Sequence, residues 1–311
     1  MSESVAELRV LATERHRLGV EETRLKNRLQ AVLDLVWPEL TAEPSPPRRA
    51  ASAGAGAEAE PVDTEPAVVA FTDVDTPTVR AILGRWPLPD EFAAARFTVV
   101  ESLVRRVSRN HISRERMIAL RATARSSIGI TTGRSARRSE ILRLLERWTV
   151  LKGQIESLEA RLSELVEAHP GARALTTVPG VSVVCAATLV AELGSPETFV
   201  SPRQVLKLAG MNLAKRHESG LAVYGRARQT KRGRPLLRRQ LFLLSGRWCQ
   251  RRGLYRAQYE ALLSRNGGVR VSAVCAVARK LVPMLLHIMQ TGESFDERRW
   301  RLEHGLDAEA V

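Results

Sequence analysis

Residues 138–168 read RSEILRLLERWTVLKGQIESLEARLSELVEA. Ile141, Leu144, Trp148, Leu151, Ile155, Leu158, Leu162 and Leu165 recur at spacings of three and four, with Glu and Arg between them. That is the seam of a coiled-coil helix, apolar along one stripe and solvated elsewhere. Residues 4–36 repeat the pattern: Leu11, Leu18, Leu25 and Val32 lie seven apart, Leu29 and Val36 fill the intermediate positions, and Pro38 ends the helix. The two seams can pair within one chain or between copies, and periodicity does not choose. A homo-oligomer through the coiled coil is therefore an expected partner. Neither helix is expected to carry chemistry.

The intervening sequence divides in two. Residues 42–68 are rich in Pro, Ala, Gly and Glu and nearly lack large apolar side chains. Such a segment cannot bury enough surface to offset its ordering entropy, so it reads as a linker after an N-terminal helical domain of residues 1–41. Residues 69–137 read as short helices. Thr76-Pro77 gives an N-cap with Pro at the first helical position, and Pro87 and Pro89 punctuate before Asp90 and Glu91. Residues 99–124 alternate apolar and basic positions at helical spacing. This resembles a small DNA-contacting helical unit, but a solvated basic face is the simpler explanation. Asp73 and Asp75 read as an exposed turn, with no third carboxylate at useful spacing for a metal.

The chain has 311 residues, 44% hydrophobic and 26% charged, enough for one large domain or two modest ones. Its three cysteines, Cys185, Cys249 and Cys275, are far apart and form no CxxC pattern. That argues against a disulfide framework and structural zinc, and suits a cytoplasmic location. No apolar run approaches the roughly 20 residues of a bilayer span, and the first residues lack signal-peptide order, so no membrane is expected. The net charge is +14. Between Arg203 and Lys280 there are nineteen Lys or Arg against Glu218 and Glu260, and 19 − 2 = +17 exceeds the whole-chain balance. A polyanion is the partner such a region fits.

That region belongs to a C-terminal domain, residues 169–296, followed by a charged tail, 297–311. His169-Pro170-Gly171 breaks the long helix. In residues 174–194 a helix ends, Pro179-Gly180 turns, and a small-residue helix follows. The pattern resembles a helix-hairpin-helix, in which backbone N–H groups of the turn hold a nucleic-acid phosphate, although a plain αα-hairpin fits it as well. Gly180 is the candidate there. A helix from Pro202 ends at Gly210, and the loop 211–235 carries Lys215, Arg216, Arg226, Arg228, Lys231, Arg232 and Arg234, with Arg238 in the helix beyond. These are the candidate DNA-binding cations. The expected fold class is all-α: long coiled-coil helices followed by a compact helical domain with a helix-hairpin-helix-like motif, and no convincing strand alternation anywhere.

Five blocks in order, VPGVS…AATLVAELG (178–194), FVSPRQVLKLAGMN (199–212), ESG (218–220), QTKRGRPLLRRQLF (229–242) and VRVSAVCAVARKLVPMLLHIMQTGESFD (269–296), resemble the C-terminal domain of the IS110/IS116/IS902 transposase family. Residues 8–40 look like the helix that precedes that domain. The resemblance implies DNA recombination by a serine nucleophile, and the matching position is Ser219. By residue type His217 and Glu218 beside it can accept a proton, but a hydrated surface pair is the simpler reading of them. It also implies DNA as partner and a guide-type structured RNA as a further one. The chain departs from the family in having Met211-Asn212-Leu213-Ala214 where a Pro-containing loop is usual, and Ser182 where a second hairpin glycine is usual. In the family an acidic RuvC-like domain with Mg²⁺ precedes the long helix, and none of its carboxylates can be mapped onto this sequence. The expectation is a truncated or split transposase that binds no cofactor alone and uses Mg²⁺ when such a domain is supplied. A nucleic-acid-binding remnant without activity, and a helical scaffold, are the alternatives.

Overall fold

The computed structural model describes residues 3–41, 71, 73–214, 217–218, 221–222, 228–250 and 255–303. It is all-α, and it divides into two compact units, Leu18–Gln154 and Met1–Arg17 with Ile155–Val311. The division falls inside the two long helices, α1 (Glu3–Val36) and α6 (Arg134–Ala168), so each contributes residues to both units.

In the unit Leu18–Gln154, the end of α1 passes through a 3-10 turn, Pro38–Leu40, and four short helices follow. They are α2 (Pro77–Arg85), α3 (Pro89–Ala94), α4 (Phe97–Ser108) and α5 (Arg114–Arg125), before the first part of α6. The helix starts fall where the sequence punctuation puts them. Thr76 caps α2 by accepting from the Val79 amide at 3.3 Å, and Pro89 opens α3. Trp37 and Phe92 are fully buried with ring centroids 5.3 Å apart, and Ile82, Leu83, Met117 and Leu120 pack in the same unit. The α1 and α6 segments run antiparallel within the chain. Arg28 pairs with Glu140 at 3.0 Å, and the Trp148 indole donates to Glu22 at 3.2 Å. Lys26 pairs with Glu22 and Asp75 and lies over the same indole ring. The Asp73–Asp75 stretch is a turn, because the Asp73 carboxylate accepts from the Asp75 amide at 2.8 Å.

In the second unit the α1 and α6 ends are again antiparallel partners, through Arg15–Glu159 at 2.6 Å and Arg161–Glu7 at 2.8 Å. The seam is shifted from its expected register here. Leu11 is only half-buried, whereas Leu8 and Ala12 are buried. The reason is that Val5, Leu8 and Ala12 join the core of this unit as well as facing α6. That core is built by α7 (Pro170–Thr176), α8 (Val183–Leu193), α9 (Pro202–Ala209), α10 (Pro235–Gln250), α11 (Arg256–Arg265) and α12 (Arg270–Thr291).

Burial of α8 and α12 against these neighbours explains their composition. Contrary to expectation, α12 is long and apolar enough to cross a bilayer, alone among the described helices; half of its most apolar window is buried inside the fold. Part of the charged tail is also ordered. Residues Glu297–Glu303 form α13, whose Trp300 lies 6.3 Å from both Tyr255 and Phe295, ring to ring. The cysteines are free thiols, and burial pushes Cys185 and Cys249 up to about 11, so neither is a thiolate at neutral pH.

Four two-residue strands among the described residues were not expected. β1 (Leu213–Ala214) pairs antiparallel with β4 (Arg228–Gln229), and β2 (His217–Glu218) pairs antiparallel with β3 (Leu221–Ala222). Ladders this short have no period-two signature to read, and they leave the all-α class intact.

Candidate nucleic-acid interface

The hairpin of α7 and α8 is built from capping residues. The His169 ring accepts from the Ala172 amide at 3.2 Å to start α7. Ser182, at the position of the usual second glycine, is the N-cap of α8 and accepts from the Cys185 amide at 3.3 Å. Between them Gly180 has φ +84, a region open to glycine at little cost. The outward carbonyls of the turn are tied to α10. Arg247 donates to the Gly180 carbonyl at 2.7 Å and the Trp248 indole to the Pro179 carbonyl at 2.5 Å. Neither residue stands out in the sequence, since each bond joins positions nearly seventy residues apart.

The basic loop leaves the core through a narrow neck. α9 ends at Gly210 in the left-handed region, φ +67. The returning chain crosses it. Lys231 donates to Gly210 O at 3.0 Å, Thr230 to Asn212 O at 3.1 Å, and Arg234 to Leu208 O at 2.8 Å, all through backbone amides. The Thr230 hydroxyl adds a bond to the Asn212 side chain at 2.8 Å, and β1–β4 continues the pairing outward. Gln229 and Lys231 also lie beside Cys275 of α12, whose thiol is held up by burial and only partly relieved by the nearby Gln229 amide and the charges of Arg279 and Lys231.

The candidate cations therefore separate by role. Arg238 donates to Ala209 O at 2.9 Å and to Lys231 O at 3.2 Å, clamping both sides of the neck. Arg234 donates to the Glu192 carbonyl at the end of α8. Lys231 and Arg232 are exposed, and so is Arg239 on α10. Arg228 gives its backbone to β4, and its side chain lies outside the described residues, as do Lys215, Arg216, Arg226 and Ser219. Of the segment around Ser219, the described parts are β2 before it and β3 after Gly220.

Residues 172–260, which span the hairpin, the neck, the basic loop and α10, match the Transposase IS116/IS110/IS902 family. This segment is an IS110-type transposase domain. A stretch of 150 residues is also 27% identical to a protein of Streptomyces coelicolor (strain ATCC BAA-471 / A3(2) / M145) described as "Insertion element IS110 uncharacterized 43.6 kDa protein". The alignment covers 48% of this chain and 36% of that protein, so the chain matches about a third of its relative. Within the transposase domain, the described residues gather no group of three or more His, Cys, Asp or Glu able to hold a metal ion, and neither does the rest of the described chain.

The neck gives a direct prediction. Arg238→Ala is expected to leave the thermal midpoint nearly unchanged while the amides of Thr230 and Lys231 exchange at least tenfold faster. One or two neutral acceptor bonds to a charged donor stabilise by about 1.5–3 kcal/mol each, and that loss falls on a local opening. Residue-resolved hydrogen exchange checks it; unchanged protection at both amides would remove Arg238 from the neck.

Proposed function

We propose that the chain is an insertion-sequence transposase component that binds DNA through the loop and hairpin of residues 169–296 and uses Ser219 as nucleophile. The single observation that carries the reading is the match of residues 172–260 to the transposase family, across the blocks that surround Ser219. In the proposed step the Ser219 hydroxyl attacks a backbone phosphorus. An Oγ–P bond forms, the bond to one strand oxygen breaks, and that oxygen leaves as a hydroxyl after taking up a proton. The hydroxyl proton of Ser219 passes to a neighbouring acceptor, for which His217 and Glu218 are the sequence neighbours. The phosphodiester energy is kept in the phosphoserine link, and attack by another strand's hydroxyl reverses the step and joins new partners. Lys215, Arg216 and Lys231 are the cations proposed to face the extra negative charge of the transition state. Mg²⁺-dependent chemistry, where it is needed, is proposed to come from a RuvC-like acidic domain acting in trans, as the family resemblance implies.

Covalent capture tests this. The purified chain is mixed with labelled element-end DNA, adjacent RNA and Mg²⁺, with and without a separately supplied acidic domain. A denaturant-resistant adduct that needs the added domain and vanishes in Ser219→Ala is the expected result. An adduct that survives Ser219→Ala assigns the nucleophile to another residue. Tight binding with no adduct in either arm leaves a DNA-binding protein without chemistry.

A further inference from the structure

The unit Leu18–Gln154 carries a charged surface that the transposase domain does not account for. From Arg96 to Arg125 there are eight arginines against Glu101 and Glu115, a balance of 8 − 2 = +6. Elsewhere in this unit many basic side chains have acidic partners, as in Lys26 with Glu22 and Asp75, Arg28 and Arg137 with Glu140, and Arg138 with Glu91. On α4 and α5 the basic side chains outnumber the acidic ones. Glu101 takes Arg105 at 2.9 Å and Arg114 at 3.8 Å, and Arg121 turns inward to the Ala93 and Ala95 carbonyls. Arg106, Arg109 and Arg125 are exposed, and no hydrogen bond, ion pair or ring contact engages them among the described residues.

These arginines stand on a fixed frame. Arg109 closes α4 in the left-handed region at φ 51, and Asn110 follows at φ 63. The Asn110 amide donates to Arg105 O at 3.0 Å and the His111 amide to Ser108 O at 3.1 Å, and Ser113 caps α5 by accepting from the Arg116 amide at 3.2 Å. On α4 the outward row is Thr98, Ser102, Arg105, Arg106 and Arg109, exposed and without an acid.

We propose that the outer face of α4, the turn after it and α5 form a second DNA-binding surface that takes the phosphate backbone of a duplex. Unpaired cations on rigid helices suit a regular row of phosphates, whose counterions they displace. A single strand is a poorer fit, because stacking needs bare rings. Here Phe97 is covered by Arg114 and Arg121, 5.6 and 6.0 Å from its centroid, and Phe71 by Arg116 at 5.7 Å. The surface does not depend on Ser219 or on the loop 211–235.

The test is the salt dependence of binding by the full chain. Anisotropy titrations of a labelled DNA duplex across a series of salt concentrations give the slope of log affinity against log salt. Arg106→Ala/Arg109→Ala/Arg125→Ala is expected to flatten that slope by about three, near 0.9 for each phosphate left without its cation. The triple lysine variant is expected to keep the slope, and circular dichroism should show both variants folded, since the three side chains bond to nothing described. Ser219→Ala is expected to leave the slope unchanged, which separates this surface from the proposed nucleophile. A slope unaltered in the alanine triple overturns the proposal. So does an alanine triple that loses its slope on an RNA duplex while keeping it on DNA, which would assign the face to RNA.

Discussion

Trp248→Ala is expected to lower the stability of the unit that contains residues 172–260 by about 3–5 kcal/mol, the range for truncating a large buried aromatic. Trp248 is fully buried on α10, with ring centroids 5.3 Å from Tyr255 and 5.9 Å from Phe295. Its indole also donates to the Pro179 carbonyl, so one side chain joins the aromatic cluster to the hairpin turn. Removing it opens a cavity and leaves a carbonyl without its donor. Trp248→Phe keeps most of the ring packing and loses the hydrogen bond, and a smaller cost of about 1–2 kcal/mol is expected. Denaturant titration of the full chain, followed by circular dichroism, measures both. If the alanine variant unfolds within about 1 kcal/mol of the parent, α10 does not anchor the hairpin as described.

How much of the structure is legible in the sequence depends on whether each feature is local. The α6 seam is legible because its period is set by residues three and four apart, and Ile141, Trp148 and Leu162 are buried as the pattern requires. Leu11 departs from the pattern because the first turns of α1 serve a core built from much later sequence, which turns Leu8 and Ala12 inward instead. The charge of the loop 211–235 is visible in the sequence, but the duty of each cation is not. Whether an arginine faces phosphate or a carbonyl depends on where distant chain passes, and the acceptors of Arg234 and Arg238 are 42 and 29 residues away. Composition marks residues 297–311 as a charged tail, yet Trp300 joins an aromatic cluster with Tyr255 and Phe295. The catalytic proposal for Ser219 comes from the order of blocks, since Ser-Gly alone is a common turn dipeptide.

Gly233→Ala is expected to cost more than about 2 kcal/mol and to disable the DNA binding proposed for the loop, whereas Gly246→Ala on α10 should be neutral or stabilising by up to about 1 kcal/mol. A Cβ at Gly233 would stand 2.2 Å from the Leu208 carbonyl oxygen and 3.0 Å from the Gly210 nitrogen, at φ +129. Those atoms are backbone, and the Leu208 carbonyl accepts from the Arg234 amide at 2.8 Å, so it cannot withdraw without breaking the neck. Gly210 is caught in the same crossing, with a Cβ placed 2.3 Å from the Arg232 carbonyl at φ +67. Two glycines facing each other's strands let the outgoing and returning chain pass backbone against backbone, and any side chain would force them apart. At Gly246 nothing lies within 4 Å of a Cβ, and alanine restores the helix propensity that glycine lacks. Thermal unfolding and anisotropy titration of the two variants, side by side, read the contrast in sign. Equal stability of Gly233→Ala and Gly246→Ala would mean that the strands do not cross so closely.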